Sequence, residues 1–214
     1  MSGNRIVLSL CDRTGNMVKP WADAGYICWC LDIQHSNGTH THGNIVKIGA
    51  DILTWRLPVN VQYAIVFAFP PCTHLAVSGA RWFKGKGLNM LASAIRLVAR
   101  CAEIADQSNA PWMLENPVGV LSTHWRKPDY SFDPSDYAGY LDDPAEDAYT
   151  KKTCLWTGNN FVIPDKRPIL PYKGSKMHRL PPSLDRANIR SETPNGFAKA
   201  VFIANHLRCA RADN

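Results

Sequence analysis

Three side chains whose chemistry could be put to use stand where short apolar runs of this sequence stop. Ala64 to Phe69 reads as a buried strand and halts on Pro70-Pro71, since proline cannot donate to a sheet ladder. The first residue past that stop is Cys72, followed by polar Thr73 and His74. In an open α/β sheet, ligands sit in the crevice outside the carboxyl ends of the strands. A thiol there is placed as a nucleophile would be, although cysteines are among the most buried residues and are usually inert. Two carboxyl groups hold equivalent places. Asp32 ends the apolar run Tyr26 to Leu31, and Glu115 ends Pro111 to Leu114 before Asn116-Pro117. A thiol adds to an electron-poor ring when a neighbouring acid protonates or hydrogen-bonds that ring. An acid at a strand tip can accept hydrogen bonds from ribose hydroxyls.

The elements that must position these groups follow in order. Arg5 to Leu10 reads as a first strand, Cys11-Asp12-Arg13-Thr14-Gly15-Asn16 as a turn, and Lys19 to Ala24 as a helix. Pro20 suits that helix's first turn and Gly25 its end. Strand, turn, helix and acid-tipped strand make the βαβ unit that holds a nucleoside. Only Gly15 of a G-x-G-x-x-G fingerprint is present, which favours a nucleoside cofactor without a pyrophosphate. Gln34 to Asn44 reads as a polar loop. Its His40-x-His42 could supply two metal ligands, but no further ligand is suitably spaced and no metal is expected. Asp51, after the turn at Gly49-Ala50, is a second acid able to face a cofactor.

Downstream of Cys72, Arg81-Trp-Phe-Lys-Gly-Lys-Gly87 is basic, aromatic and glycine-rich. That mixture suits a lid closing on a flat base and a phosphate, or equally an ordinary surface loop. Leu88 to Ser108 has helical periodicity. From 122 to 190 prolines and aromatics replace periodicity, apart from a strand at Lys151 to Trp156 and a basic stretch from Lys166 to Arg179. Thr193-Pro-Asn-Gly-Phe197 leads into a last helix, Ala198 to Cys209.

Composition agrees with one soluble α/β domain. The chain has 214 residues and a formal net charge of +6, which permits a nucleic-acid or nucleotide partner without requiring one. Its seven cysteines are odd in number and lack a disulfide-scaffold spacing. No segment reads as a signal peptide or as the roughly 20 apolar residues that span a bilayer. A cytoplasmic setting is expected, with no membrane partner.

On a pyrimidine, thiol attack at carbon 6 makes carbon 5 a nucleophile toward a sulfonium methyl donor. In that light the ordered motifs resemble the DNA cytosine-C5 methyltransferase family. Ser9-Leu-Cys-Asp-Arg-Thr-Gly15 with Asp23-Ala-Gly-Tyr26 is similar to its first S-adenosylmethionine motif, and Phe69-Pro-Pro-Cys72 to its nucleophile motif. Glu115-Asn-Pro117 resembles the motif that engages the base, and Thr193-Pro-Asn-Gly-Phe197 the last motif.

The resemblance implies an α/β, Rossmann-like S-adenosylmethionine-dependent methyltransferase sheet with helices on both faces. Residues 1–121 with 191–214 would form the catalytic domain and 122–190 a short irregular insert. It implies cofactor contacts from Cys11, Asp12, Thr14 and Gly15, from Asp32 and Ile33, from Asp51 and Ile52, and from Pro70, Asn195 and Phe197. It implies substrate contacts from Pro71, Thr73, Arg81, Asn116 and Pro117, with Cys72 and Glu115 catalytic.

Cys11 replaces an aromatic of the family's first motif, and no Gln-x-Arg-x-Arg motif is present, so Lys152 is taken as the basic catalytic group. A large target-recognition domain has no room, as in compact phage and prophage members. The expected partner is DNA, single- or double-stranded, or a pyrimidine nucleotide such as deoxycytidylate. A non-catalytic binding relative is the alternative from another class, although such a module needs neither Cys72 nor Glu115. Cys28-Trp-Cys30 lacks the spacing of a redox pair.

Overall fold

In a computed structural model, residues 5–175 and 186–211 are described. Lys176 and Arg179 of the basic stretch lie outside them. The centre is β4, Tyr63–Ala68, every residue of which is buried. A continuous apolar run of this kind belongs to a parallel strand covered on both faces. It pairs in parallel with β1 (Ile6–Leu10) on one side and β5 (Trp112–Pro117) on the other. Beyond β1 lie β2 (Ile27–His42) and β3 (Ile45–Gly49). Beyond β5 lie β7 (Thr153–Gly158), antiparallel to it, and β6 (Tyr130–Phe132) at the edge. The seven-stranded order is β3-β2-β1-β4-β5-β7-β6. The chain therefore leaves β1 in one direction and resumes at β4 in the other, which makes a topological switch point at their carboxyl ends.

Period-two alternation sorts the strand residues into two cores. Val7, Ile65, Phe67, Met113 and Leu155 face one side, with Trp21 of α1 (Lys19–Asp23) and Phe197 and Val201 of the C-terminal helix Asn195–Arg211. Leu8, Val66, Leu114 and Trp156 face the other, with Val98, Cys101 and Ile104 of α2 (Phe83–Gln107). The fold is thus the expected α/β, Rossmann-like sheet with helices on both faces. No helix among the described residues is long and apolar enough to cross a membrane.

Three local expectations change. Gln34 to Asn44 is not a loop: β2 continues to His42 and returns along the far side of β3, with Thr39 opposite Ile48 and His42 opposite Ile45. Most of this stretch is exposed at the sheet edge, so no buried face demanded an apolar pattern that the sequence could display. Strand β5 does not end before Glu115 but runs through it, because β7 continues the ladder with Leu155 opposite Glu115. Finally, 122–190 is loop-rich but not set apart. It supplies β6 and β7, and its Phe132, Tyr137, Tyr140 and Leu155 share one core with Val7 and Trp21.

Candidate active site

The turn after β1 is built by one carboxylate. Asp12 Oδ1 accepts from Gly15 N (2.7 Å), Thr14 N (3.1 Å) and Thr14 Oγ1 (3.2 Å), and Oδ2 accepts from Ser9 Oγ (2.7 Å). With both oxygens engaged, Asp12 shapes the loop and presents its backbone. Cys11 sits at φ 56° and Gly15 at φ 81°, left-handed conformations that let the chain turn back sharply. The Cys11 thiol lies 3.9 Å from that of Cys101, and this neighbour together with burial pushes it well above its ordinary pKa. From β2, His35 Nε2 donates to the Asp12 carbonyl at 3.1 Å and pins the loop.

Asp32 follows on the neighbouring β2, just past its last pair with β1, Leu31 opposite Leu10. Its Oδ1 accepts from Gln34 N at 2.7 Å, and no bond to Oδ2 is found among the described residues. Ile33 beside it is 72% exposed and offers an apolar surface. Asp51 is exposed and its Oδ1 caps Leu53 N at 2.9 Å. These residues, with the 11–15 backbone, form a lining that fits a nucleoside: a free carboxylate oxygen to accept from hydroxyls and an apolar surface for a flat base. Two expected contacts lie elsewhere. Ile52, 3% exposed, packs into the α2-side core. Phe197, 1% exposed, stacks on Phe132 at 4.1 Å and belongs to the opposite core. Asn195 is exposed, with Nδ2 3.4 Å from Glu146 Oε2.

Past β4, Phe69 N still donates to Leu10 O before the prolines end pairing. Pro70 is buried, Pro71 and Thr73 are exposed, and Cys72 is half-buried. The Cys72 carbonyl accepts from Leu75 N (2.9 Å) and Ala76 N (3.0 Å), closing a tight turn that begins at the thiol residue. Asn116 Nδ2 donates to Pro70 O at 2.8 Å and ties the β5 end to this turn; its buried Oδ1 has no partner among the described residues. The two loops are then joined by an Ala76–Gly119 bridge, with Val77 N to Val118 O at 3.0 Å and Val120 N to Leu75 O at 2.9 Å. So Cys72 and Glu115 are positioned by one stitched unit.

The basic group beside Glu115 is Lys151, not Lys152. Lys151 Nζ lies 3.9 Å from Glu115 Oε1 and donates to Glu192 O at 3.4 Å, whereas Lys152 is exposed. The register is set by the backbone: Lys151 N donates to Asp133 Oδ1 at 2.7 Å, and Lys151 O accepts from Thr153 Oγ1 at 2.8 Å. A strand lead-in held at both groups turns one lysine inward and its neighbour outward. Burial raises the Glu115 pKa against the pull of Lys151, favouring the protonated acid. Burial also raises the Cys72 pKa, and the Glu115 charge adds to it; Lys151, the local backbone and Arg190 lower it.

Arg190, on the short helix Arg186–Ser191, and buried Tyr149, whose hydroxyl also feels Glu115, are site neighbours the sequence did not suggest. Neither sits in a motif; only their charge or aromatic character could have drawn attention. Arg81 and Pro117 lie where expected along the chain, the first exposed after the Cys72 loop and the second at the end of β5.

No family model matches the sequence, and no curated protein matches it. Among solved structures, the CcbJ methyltransferase from Streptomyces caelestis is similar over 60% of this chain and 49% of that one, at 17% identity and a TM-score of 0.32. The chain thus spans about half the length of that protein. So shallow an overlap carries no argument about activity. What stands on the strand order and the two helical layers is the fold: an α/β Rossmann-like sheet with a thiol, an acid and an ammonium at its carboxyl edge.

Proposed function

We propose that this chain is an S-adenosylmethionine-dependent methyltransferase acting on carbon 5 of cytosine in DNA through a covalent Cys72 adduct. The observation that carries it is the convergence of Cys72, Glu115 and Lys151 at the strand edge that also presents Asp32. The Cys72 thiolate forms a bond to carbon 6 of the ring, and the displaced electron pair moves toward carbon 5. Glu115, held toward its protonated form by burial, delivers a proton to ring N3 and keeps the adduct neutral. Lys151 steadies the carboxylate left behind. S-adenosylmethionine, when bound, supplies an electrophilic methyl group for carbon 5. Asp32 would hold its ribose hydroxyls, with the 11–15 loop backbone, Ile33 and Asp51 around the rest. Release reverses the first step: the carbon-5 proton departs to a base, the carbon–sulfur bond breaks, and the N3 proton returns to Glu115.

The test is transfer of labelled methyl from S-adenosylmethionine to duplex DNA, single-stranded DNA and deoxycytidylate, each with wild type and Cys72→Ala. Label should enter DNA cytosine and fall by at least about 1,000-fold in Cys72→Ala, the range seen when a nucleophile is removed, with cofactor binding retained. Full activity in that variant would end the covalent mechanism. Label entering only deoxycytidylate would move the substrate to the free nucleotide.

A further inference from the structure

Next to the catalytic turn lies a cavity of about 290 Å³ whose lining includes His74, Phe83, Lys84, Lys86, Leu88 and Leu91. At that size it is near the lower end of small-ligand sites and suits one flat heterocycle rather than a whole nucleotide. Its wall is apolar and aromatic, and its rim carries two ammonium groups. Lys86 is anchored, donating to Thr73 O at 2.8 Å, while Lys84 is exposed. His74 contributes a buried ring nitrogen, Nδ1, with no hydrogen-bond partner among the described residues. An aromatic face, an unused polar atom and cations at the rim are the three things a base with its phosphate requires. His74 is two residues from Cys72, a span of at most about 7 Å between their Cα atoms, comparable to one step along an extended strand of nucleic acid. The α2 helix breaks at Gly87 (φ 77°, ψ 169°), itself a lining residue of the cavity.

Building on the proposed function, we propose that this cavity receives the base next to the target cytosine, stacked on Phe83, with its phosphate at Lys84. The occupant belongs to a polymer, so the site separates DNA from a free nucleotide.

The experiment is a binding cycle on the full chain, without cofactor. The probes are a labelled single-stranded oligonucleotide with one central cytosine and the same strand made abasic at the 5′ or the 3′ neighbour. Binding to wild type should weaken about tenfold when one neighbouring base is removed. Phe83→Ala should weaken the intact strand about tenfold but lose less than about twofold on removal of that same base, since a stack already lost cannot be lost again. Competition by deoxycytidylate should be equal for wild type and Phe83→Ala.

Additive losses, or no loss in wild type on either side, would overturn the proposal. So would a matched loss of deoxycytidylate, which would give the cavity to the free nucleotide. The abasic strands leave the protein unaltered, so a poorly folding variant does not spoil the test. Because no methyl is moved, a non-additive cycle with no transfer would sink the methylation reading alone. Transfer with additive losses would sink the cavity alone.

Discussion

Glu115 acts on Cys72 in two ways that favour the same event. As a carboxylate it raises the thiol's pKa, and Lys151 and Arg190 oppose that rise. Once protonated it can donate to a ring nitrogen, and it no longer resists ionisation of the thiol. The signs follow directly. Glu115→Gln removes a negative charge, so the midpoint of Cys72 alkylation by iodoacetamide should move to lower pH. Lys151→Met removes a positive charge, and the midpoint should move to higher pH. Peptide mass spectrometry across a pH series reads both shifts, and unchanged midpoints in both variants would contradict the assigned proximity. Turnover should be bell-shaped in pH, because the reactive form needs Cys72 ionised while Glu115 still holds its proton. Its limbs report coupled groups rather than one residue each.

The joint between the Cys72 loop and the loop that follows β5 depends on a glycine. A Cβ at Gly119 would fall 2.2 Å from the Leu75 carbonyl oxygen, in the bridge that stitches the Cys72 loop to the β5 loop. Backbone must move to admit it, since neither partner is a flexible side chain. Gly119→Ala should cost about 2 kcal/mol, seen as a fall of roughly 4–8 °C in Tm by calorimetry. Turnover should fall even at temperatures where the variant is fully folded. A Tm and activity like those of wild type would mean the bridge is not needed.

The chain's late segments close the molecule as much as they finish it. Phe197 stacks on Phe132 and lies 5.2 Å from the Tyr137 ring, so the C-terminal helix, the edge of the sheet and the 122–190 stretch share one core. Gly196 N donates to Asp147 Oδ2 at 2.7 Å and locks the same junction. Phe197→Ala should therefore cost about 3–5 kcal/mol of stability by denaturant unfolding. Cofactor affinity of the folded variant should stay within about threefold of wild type. Weakened cofactor binding at unchanged stability would restore Phe197 to the pocket.

Much of this was legible in the amino-acid order because strand ends are written locally. Apolar runs that stop at Pro70-Pro71, Asp32 and Glu115 mark the buried part of each strand, although β2 and β5 themselves run on past the acid. Once the strands are parallel, their carboxyl ends share an edge, and Cys72, Asp32 and Glu115 come to it together. The inward turn of Lys151 was not legible, because it depends on bonds to Asp133 and Thr153 that set a one-residue register within a Lys-Lys pair. Nor were the approach of Arg190, the burial of Ile52 and Phe197, or the return of β2 along β3. Each rests on contact between segments far apart in the chain, and neither propensity nor periodicity records such contacts. Local patterning places chemical groups on elements; packing between distant elements selects which of them meet.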